Sequence, residues 1–413
     1  MTLARACLGV DVLVALFWVF LTAQLIRMKL EFNRVGEDAG ADAGPWPKVS
    51  ILVPARDEEG AIETALRSLL SQDYPDLEVV AIDDRSTDAT GRIMDRLRAE
   101  DSRLSVVHVE NLPPGWLGKN NANHQGAVRA RGQWLLFTDG DVVLSPDALR
   151  RAMTIARRYD LGHIVVLPRF VTKGYWEAAF VSEFCMLLSL FARFWDLRRP
   201  GTRAYIGSGT FNLMSRESYD RVGGHERLRM EVADDMKLGL LLRRNGVRQG
   251  AVQLEGAVAV RWQPGFRATV QGLFKNAFAG MEWRWELAAA ATLGLAWISL
   301  TPLAILSFAP SPAARLGAVF PIVLPMVVQG LTARHSCSGR GLEGLVHPLM
   351  ALTFMGVILW SALSATRRGG ISWRGTFYPL AELRAGCVRD LDWPVAGAVG
   401  WPERRGEAVA HGS

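Results

Sequence analysis

Cysteine is scarce in this chain: four among 413 residues (Cys7, Cys185, Cys337, Cys387), scattered without metal-ligand spacing. That leaves no basis for a disulfide scaffold or a zinc framework and is compatible with a reducing compartment. No GxxxxGK[ST] stretch occurs, so a phosphate cradle of the P-loop kind is absent. No GxGxxG follows the first strand-like run, which weakens a dinucleotide-dependent redox reading. Repeats at solenoid periods are missing. Net charge is +6, but no strip of interleaved basic and aromatic residues accompanies it, and no nucleic-acid partner is expected.

What the chain has instead is long apolar runs. Residues 8–26 form one, with a single acid, long enough to cross a hydrocarbon core of about 30 Å. The run is too long for a removable signal peptide and lacks a small-residue cleavage site. Arg27, Lys29 and Arg34 follow it directly, which places the next segment in the cytoplasm. Three further runs, 287–309, 314–333 and 345–366, are helix candidates for the membrane. The expected division is an anchor (1–34), a Gly/Ala/acid-rich linker (35–47), a soluble domain (48–285), transmembrane helices (286–366) and a polar tail (367–413). One span before the domain and three after it would leave the tail outside. Arg367, Arg368, Arg374 and Arg384 instead favour the cytoplasm, so the tail's side stays open. A transporter is disfavoured, because runs so poor in charge offer a solute little pathway.

The soluble segment alternates strand and helix signals. "KVSILVPA" (48–55), "LEVVAIDD" (77–84), "LSVVHV" (104–109) and "QWLLFTDGD" (133–141) read as strands. Between the first two, Ile62, Ala65, Leu66, Leu69 and Leu70 recur at helical spacing. This order predicts an α/β, Rossmann-like, mostly parallel sheet with helices on both faces. Ligands of such sheets bind beyond the carboxyl ends of the strands. Acids cluster there: Asp57, Glu58 and Glu59 after the first strand, Asp83 and Asp84 after the second, Asp139 and Asp141 after the fourth. Uncompensated carboxylates at a core strand's end are costly to desolvate. A divalent ion bound by one or two carboxylates and a substrate's phosphates would resolve the conflict. Side chains two apart in a strand point the same way, and Gly140 between them lets the backbone turn.

The stretches "VSILVPARDEEGAIETALRSLLSQDYPDLEVVAIDDRSTDATGRI" and "LLFTDGDVVLSPDAL" resemble the nucleotide-sugar half of family 2 glycosyltransferases, which have the GT-A fold. "GSGTFNLMSRESYDRVGGHERLRMEVADDMKLGLLLRRNG" is similar to the acceptor half, and "ISWRGTFY" (371–378) to tails of membrane-bound members that act on lipids. Ceramide glucosyltransferases and carotenoid-acid glycosyltransferases are the types most resembled. The resemblance implies that Pro54, Ala55, Arg56, Asp57 and Glu58 line base and ribose, and that Asp84 meets the base edge. It implies that Asp139 and Asp141 form the DxD pair for Mg²⁺ or Mn²⁺, and that Asp235 is the general base. The usual Glu-Asp pair is here Asp234-Asp235. In processive members a Gln-x-x-Arg-Trp motif stands where this chain has Lys275 and Asn276, which favours a single transfer over polymer synthesis. These two and Asp234 are the acceptor-side candidates.

Plainer readings compete. Asp234-Asp235 could simply favour a helix N-terminus. "NLPPGWLGKN" is first a turn, although Lys119 could reach a diphosphate. His225 reads as structural. "FRATVQGLFKNAFAGMEWRWEL" suits an interfacial helix with aromatic and basic flanks, and 176–195 a shallow one, given Glu177, Glu183 and Arg193. The expected protein is a membrane-bound inverting transferase that moves one sugar from a nucleotide diphosphate donor, a UDP-sugar, to a lipid acceptor. The rivals are a processive polysaccharide synthase and a catalytically dead nucleotide-binding membrane protein.

Overall fold

The computed structural model describes residues 3–40, 44, 46–197, 199 and 201–390; part of the linker and the tail beyond 390 lie outside them. The chain forms two compact units. One comprises Leu30–Pro168, Ala192–Val260 and the chain from Ala385; the other runs up to Lys29 and adds Arg169–Phe191 and Arg261–Arg384.

In the first unit the strands are β1 (Val49–Ala55), β2 (Leu77–Asp84), β3 (Leu104–Val109), β4 (Trp134–Phe137), β5 (Val142–Leu144) and β6 (His163–Val166). After β7 (Arg169–Phe170), which belongs to the other unit, come β8 (Asn212–Ser215), β9 (Gln249–Val252) and β10 (Val258–Val260). Seven of them make one sheet in the order β3-β2-β1-β4-β8-β6-β9. β1 pairs in parallel with both β2 and β4, β2 with β3, and β6 with β9. Only β8 runs against its neighbours. Every residue of β1 is buried, as expected of a Val/Ile/Leu run covered on both faces. The expected mostly parallel α/β sheet is therefore present. The helices of this unit are α2 (Ile62–Leu70), α3 (Thr90–Glu100), α4 (Gly118–Arg129) and α5 (Ala148–Arg158), then α7 (Arg216–Arg221) and α8 (Asp234–Arg244). In α2 the buried residues are Ile62, Ala65, Leu66 and Leu69, four of the five in the stripe seen in the sequence, while Leu70 is half-buried. β5 and β10 pair antiparallel beside the main sheet.

The second unit is helical. α1 (Leu3–Glu37) starts in it, and α6 (Tyr175–Ala192), α9 (Phe266–Ala279), α10 (Trp285–Phe308), α11 (Pro312–Ser336) and α12 (His347–Arg368) complete it. Among the described residues five helices are long and apolar enough to cross a membrane: those beginning at Leu3, Tyr175, Trp285, Pro312 and Leu342, the last being α12 with the turn before it. α6, α9 and α12 share a cluster built on Ala179, Phe180, Leu273, Met350 and Val357. Glu183 of α6 and His347 of α12 are buried and meet at 3.0 Å. Trp18 of α1 donates its indole N–H to the Ile298 carbonyl of α10 at 3.1 Å. The Trp-Arg-Gly-Thr stretch is a hairpin, β11 (Gly370–Trp373) with β12 (Thr376–Pro379). Its two-residue turn, Arg374 and Gly375, has both φ positive, at 49° and 77°, as the twist of a tight hairpin requires. A short helix, α13 (Leu380–Ala385), follows.

Candidate active site

The acids at the sheet edge are tied to one another by their loops. Asp57, with φ at 53°, accepts from the Thr87 N–H and hydroxyl at 2.7 and 3.1 Å. Its own N–H donates to the Ser86 hydroxyl at 3.1 Å, and the Glu58 N–H donates to the Thr90 hydroxyl at 2.8 Å. The loop after β1, which carries Arg56, is thus buttoned to the loop after β2. Asp84 is buried and pairs with Arg85 at 2.8 Å. It lies so close to Gly118, where α4 begins, that a Cβ there would overlap its carboxylate. Pro54, at the end of β1, reaches the recess described next.

One residue further along α4, Lys119 enters a recess lined by Pro54, Asp139, Ser208, Gly209, Asp234 and Asp235 among others. The Lys119 ammonium meets Asp139 at 2.7 Å and Asp234 at 3.9 Å. Burial alone would lower its pKa; Asp139, Asp234 and Asp235 outweigh that and raise it. The same contest divides the two α8 acids. Burial pushes both carboxyls up, but Lys119 and His225 hold Asp234 below its ordinary value. Asp235 stays above its own, through burial and the charge of Asp234. One anion locked beside a cation and one more basic carboxylate is a division suited to acid–base work.

Asp235 is held by backbone. Its Oδ2 accepts the Gly209 N–H and its Oδ1 its neighbour's, Met236, both at 2.7 Å. The Gly209 carbonyl accepts the Asp139 N–H at 2.8 Å, so this residue spaces the base candidate from the DxD acid. The loop can lie on α8 only because two glycines face it. A Cβ on Gly207 would overlap the Asp235 carbonyl oxygen, and one on Gly239 the Ile206 carbonyl oxygen. We expect Gly207→Ala and Gly239→Ala each to cost about 2–3 kcal/mol, since backbone yields less readily than side chains. A lowered thermal midpoint in detergent, with loss of transfer, checks this.

The Gly-Ser-Gly loop at 207–209 opens the stretch similar to the acceptor half, but the sequence singles out none of its three small residues. Asp390 carries no sequence signal at all. Its carboxylate accepts the Tyr205 hydroxyl at 2.9 Å and meets the buried Lys237 ammonium at 2.6 Å. It thereby ties the segment before that loop to α8. His225, read as structural, lines the recess. Lys275 and Asn276 are in the helical unit, on α9, where the Lys275 ammonium stands 3.8 Å from the centre of the Trp373 ring.

Among the described residues no three His, Cys, Asp or Glu side chains form a ready cage for a metal. The chemistry of the DxD pair nevertheless fits a divalent ion. Asp141 is pushed up to about 7, first by burial and then by Asp139 and Glu58. Carboxylates crowded in this way want a cation, and a site that borrows phosphate oxygens needs few protein ligands.

The sheet is mostly parallel, with an Asp-x-Asp pair after β4 and a second acid pair at the start of α8. Residues 50–223 match the family described as Glycosyl transferase family 2, and the chain is an enzyme that carries a family 2 glycosyltransferase domain. It is 26% identical over 347 residues to the 4,4'-diaponeurosporenoate glycosyltransferase of Staphylococcus aureus strain bovine RF122 / ET3-1, an alignment covering 81% of this chain and 89% of that protein. The same figures hold for the protein of that name in strain USA300. Among solved structures, the mannosyltransferase PcManGT from Pyrobaculum calidifontis, in complex with GDP-Man and Mn²⁺, aligns over 87% of this chain and 88% of its own. Its TM-score is 0.46 and its identity 17%.

Proposed function

We propose that the enzyme transfers one sugar from a nucleotide diphosphate donor, a UDP-sugar, to an oxygen of an apolar lipid acceptor, with inversion at the anomeric carbon. The observation that carries this is Asp235, a carboxylate gripped by two backbone N–H groups in the same recess as Lys119 and Asp139. The acceptor oxygen attacks the anomeric carbon, the bond to the diphosphate breaks with its electron pair, and the acceptor proton passes to Asp235. A single base on the face opposite the leaving group gives inversion. Asp139 and Asp141 would hold Mg²⁺ or Mn²⁺, which as a Lewis acid stabilises the departing diphosphate. Lys119 adds positive charge on the same side.

The name of the S. aureus relatives supports a carotenoid-type carboxylic acid as acceptor. Such an acid arriving from apolar surroundings arrives protonated, because burial disfavours its charged form. A base is then needed for it as for an alcohol. The test is to incubate membranes containing the enzyme with labelled UDP- and GDP-sugars and a lipid extract, with Mn²⁺ or EDTA. Organic-phase product from a UDP-sugar that falls at least tenfold with EDTA and with Asp141→Ala is expected. Undiminished product under both conditions overturns the metal's role, and product from no sugar overturns lipid transfer.

The topology follows from the parity of crossings. Both ends of α6 return to strands of one sheet, before it to β6 and after it to β8, and we therefore take α6 as a helix that does not cross. Residues after α13 are held on the sheet unit: the Val388 N–H donates to Glu231 at 2.9 Å, and Asp390 pairs with Lys237. An even number of crossings must therefore separate β10 from Val388. α10 and α11 are joined by three residues and pack their ends through Ile305, Ala309, Ala314 and Ala318 against Cys7 and Val10 of α1. We take that hairpin as the crossing pair, with α1 as the third span and α12 lying with α6 and α9. The two polar ends of α1 then face opposite sides, with the sheet unit and Val388 in the cytoplasm. Single cysteines labelled from outside intact cells should react at Ser311 (Ser311→Cys) and not at Ser372 (Ser372→Cys). The reverse pattern overturns this arrangement.

A further inference from the structure

His225 sits in a 3₁₀ turn, Gly224–Leu228, and is 1% exposed. Gly224, at φ 50°, lies against the Tyr219 ring so closely that a Cβ would overlap it, and this seats His225 on the Tyr219 hydroxyl. That hydroxyl accepts the His225 backbone N–H at 3.0 Å and lies 3.0 Å from Nδ1. Its own proton can be donated to Nδ1, and the tautomer that satisfies this buried hydroxyl keeps Nδ1 as the acceptor. In the neutral ring the proton is then on Nε2, the nitrogen that faces Asp234 Oδ2 at 3.8 Å. Phe137 closes the arrangement, its ring 4.8 Å from that of His225 and 5.4 Å from that of Tyr219. Nε2 thus faces one Asp234 oxygen at 3.8 Å, and the Lys119 ammonium stands 3.9 Å from the other.

We propose that His225, with its tautomer set by Tyr219, is a positioning residue for sugar transfer: its Nε2–H orients Asp234 and so sets the first turn of α8, from which Asp235 faces the recess. The contact at 3.8 Å is of the kind that tightens only when substrate is bound. His225 moves no proton to or from substrate; it decides where Asp234 stands, and through it where Lys119 and Asp235 stand. This rests on the reading of Asp235 as the base.

The test compares His225→Leu, His225→Gln and Tyr219→Phe in the full-length enzyme in detergent. Displacing a reacting group by about 1 Å costs on the order of 10²-fold in rate. His225→Leu should therefore lower kcat by roughly 10–100-fold while the donor KM moves less than about threefold. His225→Gln, whose amide N–H reaches the Nε2 position, should recover most of kcat, and Tyr219→Phe should fall between them. Thermal midpoints are recorded for all three. Equal kcat for the Leu and Gln variants, losses that follow the thermal midpoint, or losses confined to donor KM overturn the proposal. If Asp235→Asn abolishes transfer while His225→Leu is fully active, only this inference fails. If Asp235→Asn retains transfer, the reading beneath it fails as well.

Discussion

Asp235→Asn is expected to lower kcat for lipid glycosylation by about 10²–10⁴-fold, the usual contribution of a positioned base, with donor KM little changed. The amide keeps the shape of the carboxylate, and its oxygen can still accept the Gly209 N–H, which in the native enzyme bonds Oδ2 at 2.7 Å. What it loses is the lone pair that takes the acceptor proton. Burial and Asp234 raise the carboxyl above its ordinary value, which strengthens it as a base while leaving it ionised only when the medium is not too acidic. Transfer should therefore fall on acidification as Asp235 becomes protonated, and the variant's residual rate should lack that fall. Single-turnover transfer from labelled donor, measured across pH, checks both. A variant with native kcat would remove Asp235 from the chemistry.

Lys119→Met should have the second large effect, on stability as well as rate. Lys119 faces Asp139 at 2.7 Å and Asp234 at 3.9 Å, and the Asp234 side chain is only 7% exposed. Removing one partner of a buried pair leaves the other charge uncompensated and costs about 3–5 kcal/mol. Asp139 is 38% exposed, and solvent screens that share, so about 3 kcal/mol is the expected loss. The pH dependence has a definite sign. Asp234 is depressed in the folded state. Its stabilising contribution is present above the unfolded carboxyl value of about 3.9 and is lost as pH falls through the folded one. Lys119 is raised, so its share is constant from acid to neutral pH and is lost only in strong alkali. The stability gap between native enzyme and variant should be full at neutrality and narrow as pH falls below about 4. Thermal midpoints in detergent at several pH values measure it. A gap that widens in acid would contradict the pairing.

Much of the sheet and its acidic edge was legible in the chain because its signals are local. A strand buried on both faces must be written as a run such as Val49–Ala55, and its loop must carry whatever the edge binds. Asp57, Asp84, Asp139 and Asp141 therefore announced themselves by following such runs. Long apolar helices were legible for the same reason, since length and hydropathy belong to each segment alone. α6 shows the limit. By length and composition it is as able to cross a membrane as its neighbours, and the proposal that it does not cross rests on the pairing of β6 with β8, which no single segment encodes.

The rest depended on partners far apart in sequence. No periodicity connects Gly207 with Asp235, or Tyr205 with Asp390, because the contacts are made by backbone close approach and by one carboxylate reaching across 185 positions. His225 reads as structural in the sequence, and the contact on which its proposed role rests, with a tyrosine hydroxyl six residues earlier, is visible only in the fold. Composition and pattern alone determined the α/β sheet, the apolar helices and the acidic strand ends, since each follows from the burial of a single segment. Tertiary structure decided which acid stands beside Lys119, which is held by Gly209 and on which unit the chain past α13 docks, since these are set by distances between segments that the order of residues does not contain.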